Sequence, residues 1–195
     1  MTAPVPTYAG LVTDEAAFMD RILPLVGAQV AELGCGKADL ARRLLQQHGV
    51  AGIAAFEVDQ RQHRANLAAP ATEGLRFVEG GAQDTGLPAA SLDGVMMLKS
   101  LHHVPIPALD DALDEVARIL RPGGWFYVSE PVYAGEFNEI VKLFHDEGEV
   151  RAAAQAALLR APARGGLKRG EEFVFDTPLH FRDYDDFVNR IVRVT

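Results

Sequence analysis

Short, largely apolar runs alternate along the chain with segments whose apolar residues recur at helical spacing. Five such runs predict strands, at residues 30–33, 53–56, 76–78, 94–98 and 125–128. The run at 94–98 has no polar side chain, which is typical of a sheet covered on both faces. Because strand and helix patterns alternate, the connections predict right-handed crossovers between parallel strands. We therefore expect an α/β fold with a doubly wound, mostly parallel sheet and helices on both faces.

Capping and turn residues mark the ends of the intervening helices. Asp39 and Asp59 are predicted N-caps, and Gly49 predicts a helix end. Pro122-Gly123-Gly124 predicts the end of the helix that carries Leu109 and its spaced apolar neighbours. Each predicted helix therefore fits between two predicted strands.

The two ends of the chain have weaker patterns. The Pro-rich residues 1–8 predict a mobile N-terminus, followed by a helix with Thr13 as its predicted N-cap. Residues 132–170 predict a helical insertion or lid, and Asp183 is the predicted N-cap of a last helix. No strand pattern follows residue 128. We expect residues 1–195 to form one domain.

A glycine turn follows the first predicted strand. Gly34 and Gly36 would let backbone N–H groups approach a ligand closely, although many strand-to-helix turns need glycine for the turn alone. Glu57 ends the next predicted strand, 25 residues after Glu32. A carboxylate at that place can accept hydrogen bonds from both hydroxyls of a ribose, in nicotinamide enzymes as well as in others. The pattern indicates a nucleotide-type cofactor.

Composition and charge exclude some classes of binding partner and indicate a cellular compartment. A formal net charge of −8 and a pI near 5.2 argue against nucleic acid or anionic membrane as a partner. Cys35 is the single cysteine, so no intrachain disulfide forms. No apolar run approaches a membrane span, and the N-terminus lacks the pattern of a secretory signal. We expect a cytoplasmic protein with a small-molecule partner, and a homodimer stays open.

Three segments together resemble the class I S-adenosylmethionine-dependent methyltransferases. They are Glu32-Leu-Gly-Cys-Gly36, Leu101-His-His-Val104 and Ile119-Leu-Arg-Pro-Gly-Gly124, which occur in the family's order. The resemblance covers residues 28–131 and implies a Rossmann-like methyltransferase fold with S-adenosylmethionine as cofactor. It also implies transfer of a methyl group to a small-molecule acceptor.

The resemblance further implies a role for each part of the site. Glu32, Gly34, Cys35 and Gly36 would surround the methionine end, with Lys99 and Ser100 on its other side. Glu57 would hold the ribose, next to Val58. The adenine would lie over the loop at residues 80–84. The residues expected to contact the cofactor are Glu32, Gly34, Cys35, Gly36, Glu57, Val58, Ala82, Gln83, Asp84 and Lys99.

The chain departs from the family pattern at three places. Ala38 replaces a common third glycine, which is acceptable if that position serves close helix packing. Gly81 stands where an acid often binds the adenine, so Asp84, Gln83 or backbone groups would substitute. The C-terminal strand hairpin is not found in the sequence. Gly81 and the missing hairpin leave a catalytically inactive binding or scaffold domain as an alternative. A nicotinamide-dependent oxidoreductase is a further alternative, since it would share the glycine turn and the ribose acid.

The candidate catalytic residues follow the fourth and fifth predicted strands. A sulfonium methyl group is already activated, so the protein mainly orients the acceptor, and a hydroxyl acceptor would also need a general base. His102, His103 and Glu130 are the candidates, although a histidine pair can also be a structural element.

Three further features have a structural interpretation beside a functional one. Residues 145–149 group His145 with three acids, but helical spacing would align only His145 and Glu149, so we expect a solvated helix end and no metal site. Cys35 is interpreted as a small loop residue and not as a nucleophile. Four phenylalanines would line an apolar acceptor pocket or pack in the core: Phe137, Phe144, Phe173 and Phe175.

Overall fold

The computed structural model describes residues 5–192. Within them, the strands are β1 (Thr7–Leu11), β2 (Gln29–Leu33), β3 (Gly52–Glu57), β4 (Leu75–Glu79), β5 (Leu92–Leu98), β6 (Leu120–Ser129) and β7 (Phe173–Asp176). The helices are α1 (Glu15–Ile22), α2 (Asp39–Gln47), α3 (Gln60–Ala68), α4 (Leu109–Ile119), α5 (Glu136–Val141), α6 (Gly148–Arg164) and α7 (Tyr184–Phe187). Short 3-10 turns at Leu101–His103 and Ile106–Ala108 precede α4, and a π-helical turn at Val188–Val192 follows α7. None of the helices in this part of the chain is long and apolar enough to cross a membrane.

The main sheet has five parallel strands in the order β4-β3-β2-β5-β6. Successive side chains of β5 pack on opposite faces of the sheet. Val95 and Met97 pack on the side of α4 and α6, whereas Met96 packs on the side of α1 and α2. The predicted doubly wound sheet with helices on both faces is thus confirmed. The strand order reverses between β2 and β5, which is where open α/β sheets bind ligands.

Strand β6 begins earlier than predicted. It starts at Leu120, opposite Leu92, and its pairing is irregular before Trp125 pairs with Gly94. Arg121 to Gly124 form the irregular part, so the proline and glycines interrupt a strand as well as end a helix. Gly94 makes room for the indole ring, because a Cβ at that position would lie 2.1 Å from a ring carbon of Trp125.

Three predictions for the chain ends need correction. Residues 7–11 form β1, which pairs in parallel with β7, so residues 7 and 8 are not part of a mobile terminus and a strand does follow residue 128. The first four residues lie outside the described part of the chain. Sequence pattern missed this sheet because its two strands are short, largely exposed and distant in sequence. The cap of α1 is Asp14 and not Thr13, since its carboxylate accepts from the Ala17 N–H at 3.1 Å.

The region predicted as a helical insertion or lid contains α5 and α6. Helix α6 presents Ala154, Ala157 and Ala161 to the core, and all three are buried. These small side chains pack in the same cluster as the apolar face of α4. Helix α6 is therefore an integral layer of the fold, and its movement as a lid stays a prediction.

Candidate active site

The glycine turn after β2 has a left-handed backbone at three positions. The φ angles are +81° at Gly34, +53° at Gly36 and +57° at Ala38. The Gly34 and Cys35 N–H groups donate to the Phe56 carbonyl at 3.0 and 2.8 Å, which holds the turn against β3. The position of Ala38 therefore requires a positive φ as well as close packing. Glycine would adopt this φ with less strain than alanine does.

The turns after β2 and β5 touch at the point where the strand order reverses. A Cβ on Gly34 would lie 2.6 Å from the Ser100 Cβ, and the Ser100 hydroxyl donates to the Leu33 carbonyl at 2.7 Å. Lys99 also has a positive φ, of 55°. Its ammonium lies 3.7 Å from a carboxylate oxygen of Glu15. Lys99 is thus beside the turn, with its charge directed to helix α1.

Glu57 is fixed by backbone donors at the end of β3. Its Oε2 accepts from the Gly36 N–H and its Oε1 from the Asp59 N–H, both at 2.9 Å. A carboxylate has about four lone-pair sites, so each oxygen can accept one more hydrogen bond. Glu57 is buried, whereas Val58 beside it is 67% exposed. Glu57 can therefore accept hydrogen bonds from a diol, and Val58 next to it offers an apolar surface to a ring.

Glu32 has an unusual environment. The side chain is 4% exposed, and within residues 5–192 its Oε2 has no hydrogen-bond partner. Burial, with smaller contributions from Asp39 and Glu57, raises its pKa from 4.5 to about 8. A buried carboxyl group without a donor is costly, and a cationic ligand group at this place would offset that cost. The site therefore fits the ammonium of an amino-acid ligand.

Two buried side chains near the turn have supporting roles. Asn66 of α3, which sequence reasoning missed, donates to the Gly36 carbonyl at 2.7 Å. Cys35 is 7% exposed, and burial raises the pKa of its thiol to about 12. A thiol with so high a pKa is a poor nucleophile, in agreement with its interpretation as a small loop residue. No pattern in the sequence distinguishes Asn66 from other polar residues of α3.

A second missed residue, Glu15, lies on α1. Besides its ion pair with Lys99, it accepts a hydrogen bond from the Tyr127 hydroxyl at 3.0 Å. Burial and the Glu15 carboxylate raise the pKa of Tyr127 well above its usual value. Through Glu15, helix α1 thus contacts Lys99 directly after β5 and Tyr127 near the end of β6.

The loop after β4 carries the three residues expected near an adenine. Ala82 is buried, whereas Gln83 and Asp84 are exposed. A Cβ on Gly81 would lie 2.5 Å from Oε1 of Gln83, so the Gln83 amide occupies the space that a side chain at Gly81 would fill. This contact favours Gln83 as the substitute for the missing acid, and its role stays a prediction.

The three candidate catalytic residues lie together at the ends of β5 and β6. His102 is 4% exposed, and its Nδ1 pairs with a carboxylate oxygen of Glu130. The other oxygen of Glu130 accepts from the Leu101 N–H at 2.8 Å. The His103 ring is exposed, with its centroid 4.1 Å from that of His102. Partial burial, followed by the neighbouring His102, lowers the pKa of His103, which favours its neutral form.

The prediction of a solvated helix end at residues 145–149 is wrong for Glu147. Helix α6 begins at Gly148, so His145 and Glu147 precede it, and their side chains meet at 2.8 Å. Arg151 donates to the other Glu147 oxygen at 2.5 Å, and the Glu147 side chain is 12% exposed. Burial opposes ionisation of Glu147, but hydrogen bonds from His145 and Arg151 outweigh it and lower its pKa. Oε1 of Glu147 also lies 3.5 Å from Nε2 of His102.

The four phenylalanines belong to two groups of contacting aromatic rings. Phe173 and Phe175 of β7 pack on Phe18 at centroid distances of 5.4 and 5.3 Å, which agrees with a core role for both. The other two, on and after α5, are Phe137, which stacks on Phe181 at 6.2 Å, and Phe144, which meets Phe187 at 6.3 Å. Phe137 and Phe144 thus contact other aromatic rings than Phe173 and Phe175 do, and a role of these residues in an acceptor pocket stays a prediction.

Comparison with known proteins agrees with this geometry. A family model described as a methyltransferase domain matches residues 31–128, half of the chain. The fatty-acid O-methyltransferase of Mycolicibacterium smegmatis is 35% identical over 53% of this chain and 37% of its own length. The sterol 24-C-methyltransferase of Yarrowia lipolytica is 27% identical over 58% of this chain and 30% of its own.

A proposed methyltransferase from Bacillus halodurans has the same fold, with a TM-score of 0.61 and 18% identity over 77% of this chain and 67% of that one. The curated relatives are longer proteins, since the chain covers between 28% and 47% of their lengths. The family match spans the glycine turn, Glu57, the histidine turn and most of β6. The chain therefore belongs to the methyltransferase-domain family, within the class I S-adenosylmethionine-dependent methyltransferases.

Proposed function

We propose that this protein binds S-adenosylmethionine and transfers its methyl group to a small-molecule acceptor. The observation that carries the proposal is the pair of buried carboxylates at the glycine turn. Glu57 is held by the Gly36 and Asp59 N–H groups with lone pairs to spare, and Oε2 of Glu32 lacks a partner among residues 5–192. The Glu57 carboxylate suits a ribose diol. Glu32 suits an ammonium, because a bound cation would oppose the effect of burial on its pKa and stabilise its charged form.

The remaining residues would complete the cofactor site. Gly34, Cys35 and Gly36 supply the close-approaching turn, and Lys99 with Ser100 bounds it on the β5 side. Val58 offers an apolar surface beside the ribose acid. Ala82, Gln83 and Asp84 would border the adenine. When bound, the cofactor supplies an activated sulfonium methyl group, so the protein needs to align an acceptor and exclude water.

The acceptor end of the site would be the histidine turn after β5. Ser100 touches the glycine turn, and His102 and His103 follow it within three residues, with Glu130 paired to His102. A proton lost by a hydroxyl acceptor would be taken up in this cluster. The named acceptors of two relatives, a fatty acid and a sterol, support an apolar small molecule as the acceptor class.

Calorimetric titration with S-adenosylhomocysteine tests cofactor binding. Glu57→Gln should weaken binding by about 10-fold or more, because it replaces a charged acceptor of hydroxyl hydrogen bonds. Glu79→Gln is the matched control, since Glu79 ends the neighbouring strand in register with Glu57 but is exposed. Absence of binding to the unmodified chain, or equal effects of the two substitutions, would refute the cofactor assignment.

Methyl transfer needs its own assay, because the main sheet ends at β6 within the described residues and an inactive binding domain is the second candidate. Incubation with methyl-labelled cofactor and cell extract should label a small molecule. Binding without any labelled product would favour the inactive domain. Competition by NAD for the S-adenosylhomocysteine site would instead favour an oxidoreductase.

A further inference from the structure

We propose that His102, His103 and Glu147 bind one divalent first-row transition metal ion, with zinc as the probe of choice. One ligand atom from each of these residues lies within 4.8 Å of the other two. Two imidazoles and one carboxylate form a common donor set for zinc and its neighbours. The three residues come from two distant parts of the chain, the turn after β5 and the segment before α6.

The strongest argument is a contact between two lone pairs. His102 pairs through Nδ1 with the Glu130 carboxylate, an acceptor, so Nδ1 carries the proton in the neutral ring. Its Nε2 then presents a lone pair to Oε1 of Glu147, 3.5 Å away. Two lone pairs that face each other at this distance repel, and a cation bound between them would remove that repulsion.

The distance between these atoms favours a metal ion over a shared proton. A charge-assisted N–H···O bond is about 2.7 to 2.9 Å long. Two ligands bound at about 2.0 to 2.1 Å to a tetrahedral ion are about 3.4 Å apart. The observed 3.5 Å between Nε2 of His102 and Oε1 of Glu147 matches the second value.

The surrounding residues already hold these ligands in place. Metal-binding histidines usually donate their other N–H to a carboxylate, as His102 does to Glu130. Arg151 occupies Oε2 of Glu147 at 2.5 Å and leaves Oε1 on the histidine side. His145, whose Nε2 is 2.8 Å from that same Oε1, is at hydrogen-bond distance and supports the carboxylate as a donor, not as a ligand.

A metal at this place would act on the acceptor, a role that rests on the proposed function. Three protein ligands leave a coordination position open, and a hydroxyl oxygen bound there would lose its proton to solvent water more readily. That oxygen would then bond to the methyl carbon as the carbon–sulfur bond breaks, leaving S-adenosylhomocysteine. A His103 nitrogen that binds the ion cannot accept a proton at the same time. The metal would then replace His103 as the group that favours deprotonation.

Zinc binding to the full chain tests the site without any need for methyl transfer. Chelator-treated protein should bind one Zn²⁺ per chain in competition with a chromogenic chelator, and Co²⁺ should give the visible absorption of a tetrahedral site. His103→Ala and Glu147→Gln should each weaken Zn²⁺ binding by about 10-fold or more. His180→Ala, an exposed histidine outside the cluster, is the matched control and should have no effect.

Three results would overturn the proposal. They are no Zn²⁺ binding by the chelator-treated chain, unchanged Zn²⁺ affinity in both the His103→Ala and the Glu147→Gln variant, or a loss of affinity in His180→Ala equal to that in these two variants. Thermal unfolding of each metal-free variant checks that the fold is retained. Titration of the metal-free protein with S-adenosylhomocysteine keeps the two proposals separate. If the unmodified chain binds Zn²⁺ but does not bind S-adenosylhomocysteine, only the proposed function is refuted.

Discussion

Glu32→Gln should make the protein more stable at alkaline pH. Glu32 is buried, its Oε2 has no partner within residues 5–192, and its pKa is raised to about 8 from 4.5. A carboxyl group whose pKa is raised by folding stabilises the protein below its unfolded pKa, and this contribution is lost as the pH rises towards the folded pKa. Glutamine has nearly the same shape and no charge, so the variant lacks this pH dependence.

The raised pKa sets the size of the effect. Each pH unit between the unfolded and folded pKa changes the free energy of unfolding by about 1.4 kcal/mol. The interval from 4.5 to about 8 gives an upper limit of about 5 kcal/mol. Between pH 5 and pH 8 we expect the variant to gain about 2 to 4 kcal/mol relative to the unmodified protein.

Urea unfolding of both proteins at pH 5 and pH 8 measures this difference. Subtracting the two pH changes removes the contribution of every other titrating group that both proteins share. Glu79→Gln serves as the control, since its carboxyl group is exposed and accepts from Gln60 at 2.8 Å. Parallel pH profiles for the unmodified protein and Glu32→Gln would refute a buried, destabilising carboxyl group at the glycine turn.

Two further substitutions test the packing around the site. Gly34→Ala should lower the free energy of unfolding by about 2 kcal/mol more than Gly27→Ala, because both have φ near +80° but only Gly34 would place a Cβ 2.6 Å from Ser100. Equal losses in urea unfolding would show that the turn shifts freely. Glu115→Gln should cost about 1 to 3 kcal/mol at pH 7 and less near pH 2, since hydrogen bonds from Arg118 lower the Glu115 pKa to about 2. Here the stabilisation is present above the ordinary pKa and is lost as the pH falls through about 2, so an equal loss of thermal stability at both pH values would contradict the argument.

The parts of the fold that depend on local pattern could be predicted from the sequence. The strands around Val30, Ile53 and Val95 and the intervening helices follow from the period of apolar residues and from caps such as Asp59. The meeting of the glycine turn with Glu57 follows from parallel strands, because their carboxyl ends share one edge of the sheet. The roles assigned to the cofactor-binding residues stay predictions.

Other features depend on contacts between residues that are distant in sequence, and only the tertiary structure decided them. β1 pairs with β7 across more than 160 residues, although neither strand has a clear pattern of its own. Glu147 reaches His102 because α6 packs beside α4, which no helical spacing within residues 145–149 reveals. The sequence by itself thus determined the sheet, the turn and the family, since these follow from local periodicity and short motifs. Burial of Glu32 and assembly of the histidine cluster depend on how separate elements pack, which is a property of the folded chain.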